Sequence, residues 1–397
     1  MDKNIILAPH EGCTGCSACA DICPTNSIRL GYTRLHDYPQ IEESSCIKCG
    51  RCVNVCPVLH PTPIVEQEQK YYCGWSLNDE ELSNSTSGGM GSAFAREALR
   101  LGYHVCGAAF DSNWTLKHEL STNENVIKKF RGSKYLKSDT SGVLREIGEV
   151  VKRGEHVLFT GTPCQCDAIK RLIPQSKREL LITVAIICHG VNSPKVWSDY
   201  VVSIEKKEKA KLTEYNFRSK LKGWGENSRG GKRLRIFKRL SNGKCSDVPA
   251  WKNLFHVWFG KHYILRPSCF HCQYRKKQRL ADITIGDFWG IGKILPNLEC
   301  DKGASVVITS TPHGEEFVKM CRDIHLIPVD GNQTARVLKG FVETRPKEKV
   351  VAEQQRNHSF EEEYMKDGFE AMAKRYPAPT FWTMAIASIK SRLHIRK

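Results

Sequence analysis

The sequence predicts an α/β fold in which a small α+β module precedes a larger, mixed α/β core. Two observations support this prediction. Eight of the 18 cysteines lie between residues 13 and 56, in two copies of one spacing. Beyond residue 70, short apolar runs alternate with segments of helical pattern, which is the rhythm of strands joined by helices.

The N-terminal module is defined by its repeated cysteine spacing. The pattern Cys-x2-Cys-x2-Cys-x3-Cys-Pro begins at Cys13 and again at Cys46. Three thiolates at this spacing can surround one face of a 4Fe-4S cluster, while the fourth, before the proline, reaches the other cluster. We therefore expect a ferredoxin-like module over residues 1–62 with two clusters and crossed ligands. The expected ligand sets are Cys13, Cys16, Cys19 and Cys56 for one cluster, and Cys46, Cys49, Cys52 and Cys23 for the other.

The alternatives to clusters in this module are disulfides and zinc. No apolar stretch approaches the 18 residues of a membrane span, and the start MDKNIILAPHEGC shows no signal-peptide cleavage site. We therefore expect a cytoplasmic protein, whose thiols stay reduced and serve metal or redox chemistry. Zinc sites typically use two Cys-x2-Cys pairs joined by a longer spacer, which differs from this pattern.

The remaining elements can be assigned in chain order. Strands are expected at YYCGWSL, YHVCGAAF, HVLFT, LLITVAIICHG, ADITIGDFWG and ASVVITS, and helices at residues 90–101 and 143–152. The segment LHPTPIVEQEQK separates the module from a core with expected parts 71–150 and 151–345, which a charged helical tail follows at 346–397. The final FWTMAIASIKSRLHIRK has the pattern of a basic amphipathic helix suited to a membrane surface or a partner.

A Ser/Thr/Gly loop runs into the helix expected at residues 90–101. The free N–H groups at a helix start favour an anion such as a phosphate, and glycines permit close approach of the backbone. A plain turn with a helix cap is the alternative, because the loop does not have the GxGxxG form. The candidate binding residues are Ser85, Ser87, Gly88 and Gly89.

Four cysteines in the core form a candidate third cluster site. Cys164 is expected in the first turn of a helix, where the helix dipole would lower the pKa of its thiol. Cys188 follows a buried strand, and Cys269 and Cys272 form a pair flanked by Arg266 and Arg275. The alternatives are a structural zinc site at the same four residues, or a reactive thiol at Cys164. The cysteines expected to be ordinary buried or surface residues are Cys73, Cys106, Cys245, Cys300 and Cys321.

Several core motifs, taken in order, resemble those of the coenzyme F420 hydrogenase/dehydrogenase family of beta subunits. They are TSGG at 86–89, GTPCQ at 161–165, CHG at 188–190, RPSCFHC at 266–272 and ADITIGDFWG at 281–290. The resemblance covers about residues 70–330 and implies FAD beside an iron-sulfur cluster. It makes the loop at residues 85–91 a candidate flavin contact. The GDFWG motif, containing Asp287, and the following Lys302, Gly303 and Ser305 would shape the flavin pocket or substrate entrance.

The basic composition is compatible with an anionic partner. The formal charge is +17, and two clusters with about −2 each would leave about +13. Basic side chains near a flavin would stabilise its anionic reduced form or receive an anionic substrate. Candidates for this role are Arg131, Lys134, Arg218 and Arg229, each of which can equally be a solvated surface charge.

The sequence thus favours an FAD-dependent iron-sulfur oxidoreductase with a redox protein partner and an anionic coenzyme or substrate, for which coenzyme F420 is a candidate. The alternative is an electron-transfer subunit of a larger complex with no organic substrate. Nucleic-acid binding is suggested only by the basic run at residues 206–239 and its aromatics Tyr215, Phe217, Trp224 and Phe237. We do not expect a nucleic-acid partner, because no recognised module accompanies that run.

Overall fold

The computed structural model describes residues 5–63, 66–224, 234–342 and 345–380. Its N-terminal module contains an antiparallel hairpin of β1 (Ile28–Thr33) and β2 (His36–Ile41), with two short helices, α1 (Ala18–Asp21) and α2 (Arg51–Asn54). Both helices follow a residue in the left-handed conformation, Ser17 with φ of 63° and Gly50 with φ of 74°. The two copies of the cysteine motif therefore adopt the same local structure.

The core is organised by one eight-stranded mixed sheet and a smaller three-stranded antiparallel sheet. The strand order in the large sheet is β13-β3-β12-β11-β7-β6-β4-β5, in which β4, β6, β7 and β11 are mutually parallel. The small sheet has the order β10-β9-β8. The strands are β3 (Lys70–Ser76), β4 (His104–Phe110), β5 (Leu116–Ser121), β6 (Val157–Gly161), β7 (Leu181–Ile186), β8 (Leu212–Asn216), β9 (Arg235–Leu240), β10 (Cys245–Pro249), β11 (Ile283–Asp287), β12 (Ser305–Thr309) and β13 (Ile324–Pro328).

Helices cover both faces of the large sheet. The core helices are α3 (Asp79–Asn84), α4 (Met90–Arg100), α5 (Val126–Phe130), α6 (Val143–Lys152), α7 (Pro163–Leu172), α8 (Pro194–Glu208), α9 (Leu254–Gly260), α10 (Pro312–Met320), α11 (Gly331–Val337), α12 (Lys339–Val342) and α13 (Lys347–Arg375), of which α8, α9 and α13 pack with the small sheet. One face packs apolar residues of α4 and α10, such as Phe94 and Phe317, and the other those of α6 and α7, such as Ile147 and Ile169. The α/β fold class is confirmed, as are the strands and helices predicted in order.

The described part of the basic run, residues 206–224 and 234–239, contributes three of its four aromatic rings to the core, while Phe237 is partly exposed. Tyr215, Phe217 and Trp224 are buried, and Phe217 lies in the aromatic cluster around Trp197. These rings are therefore not accessible to bases. The described residues include no helix long and apolar enough to cross a bilayer. The basic amphipathic helix predicted at residues 381–397 lies outside the described residues, as does Arg229.

The N-terminal module is tied to the core by hydrogen bonds at the start of α6. The Asp21 carboxylate accepts hydrogen bonds from the backbone N–H groups of Gly142 at 2.8 Å and Arg145 at 3.1 Å. The Arg145 guanidinium donates to the backbone carbonyls of Ala20, Asp21 and Cys23. Thr140 donates to the carbonyl of Cys16 at 2.9 Å. The cysteine loops are consequently held against the carboxyl-end side of the large sheet.

Candidate functional site

The structure brings the eight cysteines of the N-terminal module into two groups around two small cavities. Residues of the first predicted ligand set, Cys13, Cys16, Cys19 and Cys56, line one cavity, and residues of the second, Cys23, Cys46, Cys49 and Cys52, line the other. Cys52 lines both cavities, so the groups adjoin. Each group takes three cysteines from one motif and one from the other, which is the crossed arrangement that the spacing predicts.

The thiols of the first group are buried and close enough to act on one another. Burial raises the pKa of Cys16 to about 11 and raises that of Cys19 further, and the neighbouring cysteines add to both shifts. Thiolates are the ligands of iron-sulfur clusters, and bound iron supplies the positive charge that these sites lack. The donor set and its burial therefore fit 4Fe-4S clusters.

A third group unites cysteines from three distant elements. Cys164 lies in the first turn of α7, Cys188 follows β7, and Cys269 and Cys272 belong to or follow a 3-10 turn over Pro267–His271. The pKa of Cys164 is raised by burial and then by the charges of Cys188, Cys272 and Cys269, so the four thiols lie within electrostatic reach of one another. The four predicted ligands are thus brought together, and the third cluster itself stays a prediction.

The charges around the third group favour a cluster with net negative charge. Arg275 and Arg279 lie beside Cys272 and stabilise its thiolate, while burial acts in the opposite direction and raises the pKa of Cys272. The expectation that the helix start lowers the pKa of Cys164 is wrong, because burial of that thiol dominates. Among the described residues, no group of three or more Cys, His, Asp or Glu side chains is arranged to hold a single metal ion.

Five further cysteines lie apart from these groups. Cys73, Cys106 and Cys300 are buried within apolar clusters of the core. Cys245 is exposed at the start of β10, and Cys321 follows α10. Their positions agree with the ordinary structural roles that their lack of ligand spacing predicts.

A large cavity lies where the parallel strands end. It has a volume of about 240 Å³ and is lined by the carboxyl ends of β4, β6, β7 and β11. The loop at residues 85–92 and the segment at 130–138 complete its walls. In α/β sheets, ligands bind at this edge because the loops that follow parallel strands meet there. The cavity therefore lies at the edge of the sheet where α/β folds bind their ligands.

The predicted cofactor-binding residues separate into two sets. Ser85, Ser87, Gly89 and Asp287 line the cavity, as does Ser305. Gly88 and Lys302 are not among the lining residues. The Lys302 ammonium instead forms a surface ion pair with Asp79 at 2.8 Å. The assignments of Gly88 and Lys302 as ligand contacts stay predictions, with no support from the shape of the cavity.

Gly88 has a packing role in the loop. Its N–H donates to the Ser305 hydroxyl at 2.9 Å, and a Cβ atom there would lie 2.3 Å from the Gly74 carbonyl oxygen and 2.8 Å from the Ser305 nitrogen. Both contacts are far shorter than van der Waals separation. Glycine therefore allows the loop to lie directly on β3 and β12.

We expect Gly88→Ala to lower the free energy of unfolding by about 1–3 kcal/mol, because the new methyl group would force the backbone apart. The measurement is the thermal midpoint of the purified protein. The matched control is Gly148→Ala in α6, where a Cβ would meet no atom within 4 Å and alanine favours the helix. Equal thermal midpoints for the two variants would contradict this role of Gly88.

The basic candidates also have different surroundings. Arg131 lines the cavity and pairs with Glu80 at 2.8 Å. Lys134 lines the cavity as well, but its Nζ donates to the carbonyls of Lys129, Phe130 and Arg131 at the end of α5. Desolvation lowers the pKa of Lys134 to about 7. Arg131 is consequently the better placed of the two to contact an anion.

Arg218 lies behind the cavity wall and holds Asp287. Its guanidinium donates to both carboxylate oxygens of Asp287, at 2.8 and 3.0 Å, and to the Tyr135 hydroxyl at 2.9 Å. Trp224 donates to the same carboxylate at 2.9 Å. Burial would lower the pKa of Arg218, but Tyr135 and Asp287 together raise it, so the guanidinium stays charged. The pair fixes the end of β11 at the cavity.

Lys220 is a structural contact that the sequence did not reveal. Its Nζ donates to the backbone carbonyls of Leu82 and Lys302, each at 2.6 Å, and to that of Ser87. It therefore connects the loop before α4 with the turn before β12. No pattern distinguishes this residue from other lysines of the basic run, since its three acceptors are backbone atoms from distant segments.

Comparison with known proteins identifies two regions of the chain. Residues 154–331 match the family that represents the C-terminal region of the coenzyme F420 hydrogenase/dehydrogenase beta subunit, and residues 12–59 match the 4Fe-4S dicluster domain. Residues 154–331 are therefore similar to this family of beta subunits. The chain is thus an iron-sulfur electron-transfer protein related to the beta subunits of F420 hydrogenases and dehydrogenases.

Several relatives are known, and two of them extend over most of the chain. One subunit of the F(420)H(2) dehydrogenase of Methanosarcina mazei is 22% identical over 329 residues, covering 79% of this chain and 83% of the relative. An uncharacterized protein of Methanocaldococcus jannaschii is 24% identical over 382 residues, covering 84% and 93%. One subunit of the Na(+)-translocating ferredoxin:NAD(+) oxidoreductase complex of Acetobacterium woodii matches 58 residues at 33% identity, covering 15% and 16%.

One solved structure is similar to a large part of this chain. It is a chain of the F420-reducing NiFe hydrogenase complex from Methanosarcina barkeri, with 18% sequence identity and a TM-score of 0.44. The similarity covers 77% of this chain and 94% of that chain.

The region at residues 154–331 contains the whole third cysteine group and one wall of the cavity. Cys188 is common to both, because it lines the cavity and neighbours Cys269 and Cys272. A ligand in the cavity would therefore lie directly beside a cluster at the third group. Such an arrangement is suited to electron transfer between an organic group and iron.

Proposed function

We propose that this chain is an FAD-dependent iron-sulfur oxidoreductase that passes electrons between a two-electron substrate or coenzyme and 4Fe-4S clusters. The observation that carries the proposal is the position of Cys188, which belongs both to the cavity wall and to the third cysteine group. Redox groups in direct proximity exchange electrons efficiently, and a flavin in the cavity and a cluster at the third group would have that proximity.

The walls of the cavity suit a flavin nucleotide. The parallel strands supply apolar side chains, including Val105, Leu158 and Ile285, against which a ring system can pack. The N-terminal end of the eleven-residue helix α4 and the Arg131 guanidinium provide positive charge for phosphates. A bound flavin would supply hydride acceptance as a two-electron unit and release of single electrons. The polar loop and the apolar strand ends would orient its two parts.

The three cysteine groups form a series from the cavity to the surface. The third group adjoins the cavity, and Arg266 connects it to the group of Cys13. The groups of the module adjoin through Cys52, and Cys49 in the outermost group is exposed. We infer that a redox protein partner exchanges electrons at this exposed end.

Reduced coenzyme F420 is the first two-electron donor to test. The proposal rests on the name of the Methanosarcina mazei relative and on the family matched by residues 154–331. The formal charge of +17 would also favour an anionic coenzyme over a cationic one. Rapid bleaching of cluster absorption by this donor would identify the substrate class.

A subunit that transfers electrons without an organic substrate is the second candidate. The match of the module to a component of the ferredoxin:NAD(+) oxidoreductase complex favours it. The two candidates differ in whether the cavity holds a flavin.

The test is anaerobic purification of the full chain, counting of iron and sulfide, and identification of any flavin released by acid. About eight to twelve irons with stoichiometric FAD would support the oxidoreductase. The same iron content without FAD, even after reconstitution with added FAD, would overturn the first candidate in favour of the second.

We further expect Arg131→Met to weaken FAD binding about tenfold or more, since a charged hydrogen bond contributes about 1.5–3 kcal/mol. The matched control is Lys302→Met. Both cations pair with carboxylates of α3, Arg131 with Glu80 and Lys302 with Asp79, but only Arg131 lines the cavity. The measurement is titration of each apoprotein with FAD, followed by flavin fluorescence. A larger effect of Lys302→Met would place the phosphates elsewhere.

A further inference from the structure

Arg266 is fully buried at the contact between the module and the core. Its Nε donates to the carbonyl oxygen of Cys13 at 2.8 Å, and its two Nη atoms donate to Asp37, to Oδ1 at 3.1 Å and to the backbone oxygen at 2.8 Å. The guanidinium carbon lies 4.6 Å from the centre of the Tyr38 ring. Gly15 makes room for it, because a Cβ there would lie 2.9 Å from this carbon.

The same residue contacts two cysteine groups. One Nη is 3.8 Å from the Cys13 sulfur, in the first group of the module. The backbone carbonyl of Arg266 accepts a hydrogen bond from the N–H of Cys269 at 3.0 Å, and its own N–H donates to Val191, three residues after Cys188. Arg266 is therefore the point at which the third group and the first group of the module are joined.

The buried site formed by Arg266, Asp37 and Lys137 has a net positive charge. Asp37 lies between Arg266 and Lys137, with its Oδ2 2.5 Å from the Lys137 Nζ. Burial raises the pKa of Asp37, but the two cations outweigh burial and lower it, so the carboxylate stays ionised. Two cations and one anion leave a net charge of +1 in a site from which water is excluded. A charge in such a site acts strongly on its neighbours.

We propose that Arg266 is a positioning residue that raises the reduction potential of the cluster held by Cys13, Cys16, Cys19 and Cys56. This inference rests on the proposed function, since it assumes clusters at these thiolates. One-electron reduction adds one negative charge to the cluster site, and the nearby guanidinium stabilises that charge. The electron would come from the reduced cluster at the third cysteine group. Arg266 would thereby favour movement of electrons from the cavity side into the module.

The test is an anaerobic redox titration of the full chain, monitored by electron paramagnetic resonance, for the wild type and Arg266→Gln. We expect the equilibrium constant for reduction of the first cluster to be lower in the variant by about tenfold or more. This corresponds to a fall in its reduction potential of about 59 mV or more for one electron. The cluster of Cys23, Cys46, Cys49 and Cys52 is the internal reference. Arg266 contacts the module through Cys13 of the first group, so the potential of the reference cluster should change much less.

Two further variants separate charge from packing. Arg266→Lys keeps the charge and loses the fork of hydrogen bonds, so the potential should stay nearer the wild-type value. Asp37→Asn removes the neighbouring negative charge and should raise the potential. If Arg266→Gln does not assemble its clusters, Asp37→Asn decides alone, because a rise in potential in that variant is expected only if the charge of the site acts on the cluster.

The inference is overturned if Arg266→Gln retains its iron and shows an unchanged potential, if Arg266→Lys falls as far as Arg266→Gln, or if Asp37→Asn does not raise the potential. These results are distinct from failure of the proposed function. That failure would appear in the wild type as missing cluster iron or missing FAD.

Discussion

Cys269→Ser should lower the iron content from about twelve to about eight atoms per chain, because removal of one ligand eliminates one four-iron cluster. The two clusters of the N-terminal module should remain, since none of their predicted ligands changes. The measurement is iron and sulfide analysis of anaerobically purified protein, together with its electron paramagnetic resonance spectrum. Electron transfer from the cavity to the module should also be interrupted.

The control for this variant is Cys245→Ser. Cys245 is exposed in the small sheet and belongs to none of the three cysteine groups. Its replacement should leave about twelve irons. An iron content that is the same for the wild type and Cys269→Ser would exclude a cluster at the third group. Replacement of iron by one zinc per chain would identify the structural zinc alternative instead.

Arg218→Met should lower the free energy of unfolding by about 3–5 kcal/mol, because it leaves the Asp287 carboxylate buried without its cation. The ion pair is bidentate and only 7% and 15% of the two side chains are exposed. Release of the β11 end should also disturb the cavity and weaken FAD binding. The thermal midpoint and the FAD affinity are the two measurements.

The comparison for Arg218 is another arginine–carboxylate pair at the surface. Arg239 pairs with Glu214 at 3.1 Å, and about half of each side chain is exposed, 51% and 50%. Water and salt screen such a pair, so Arg239→Met should change the thermal midpoint little. A similar small change for Arg218→Met would show that Asp287 relaxes into solvent and that the pair does not stabilise the cavity wall.

The local properties of the chain were predictable from the sequence. In each cysteine motif three ligands lie close together in the chain, as Cys13, Cys16 and Cys19 do in the first. A cluster site can therefore be predicted without knowledge of the tertiary structure. The strands were predictable because each is a short apolar run that ends in polar or glycine residues. The order of motifs from TSGG to ADITIGDFWG was sufficient to recognise the family of beta subunits, and the match of residues 154–331 confirms it.

Only the tertiary structure decided which distant residues meet. Cys164, Cys188 and Cys269 lie on separate elements: the pairing of β6 with β7 brings the first two together, and the bridge between Asn192 and Leu265 brings Cys269 beside them. The tertiary structure also decided which basic residues line the cavity. Lys302 and Arg131 are both cations near motifs, but only Arg131 lines the cavity, because the Lys302 side chain lies at the surface, where it pairs with Asp79.

The sequence by itself therefore predicted the iron-sulfur chemistry, the α/β class and the similarity to the beta subunits. The structure decided how the third cysteine group is assembled beside the cavity and how Arg266 joins it to the module. The physical reason is that ligand spacing and hydrophobic periodicity are properties of neighbouring residues. The position of Cys188 in both the cavity wall and the third group instead depends on how strands far apart in the chain are ordered in one sheet.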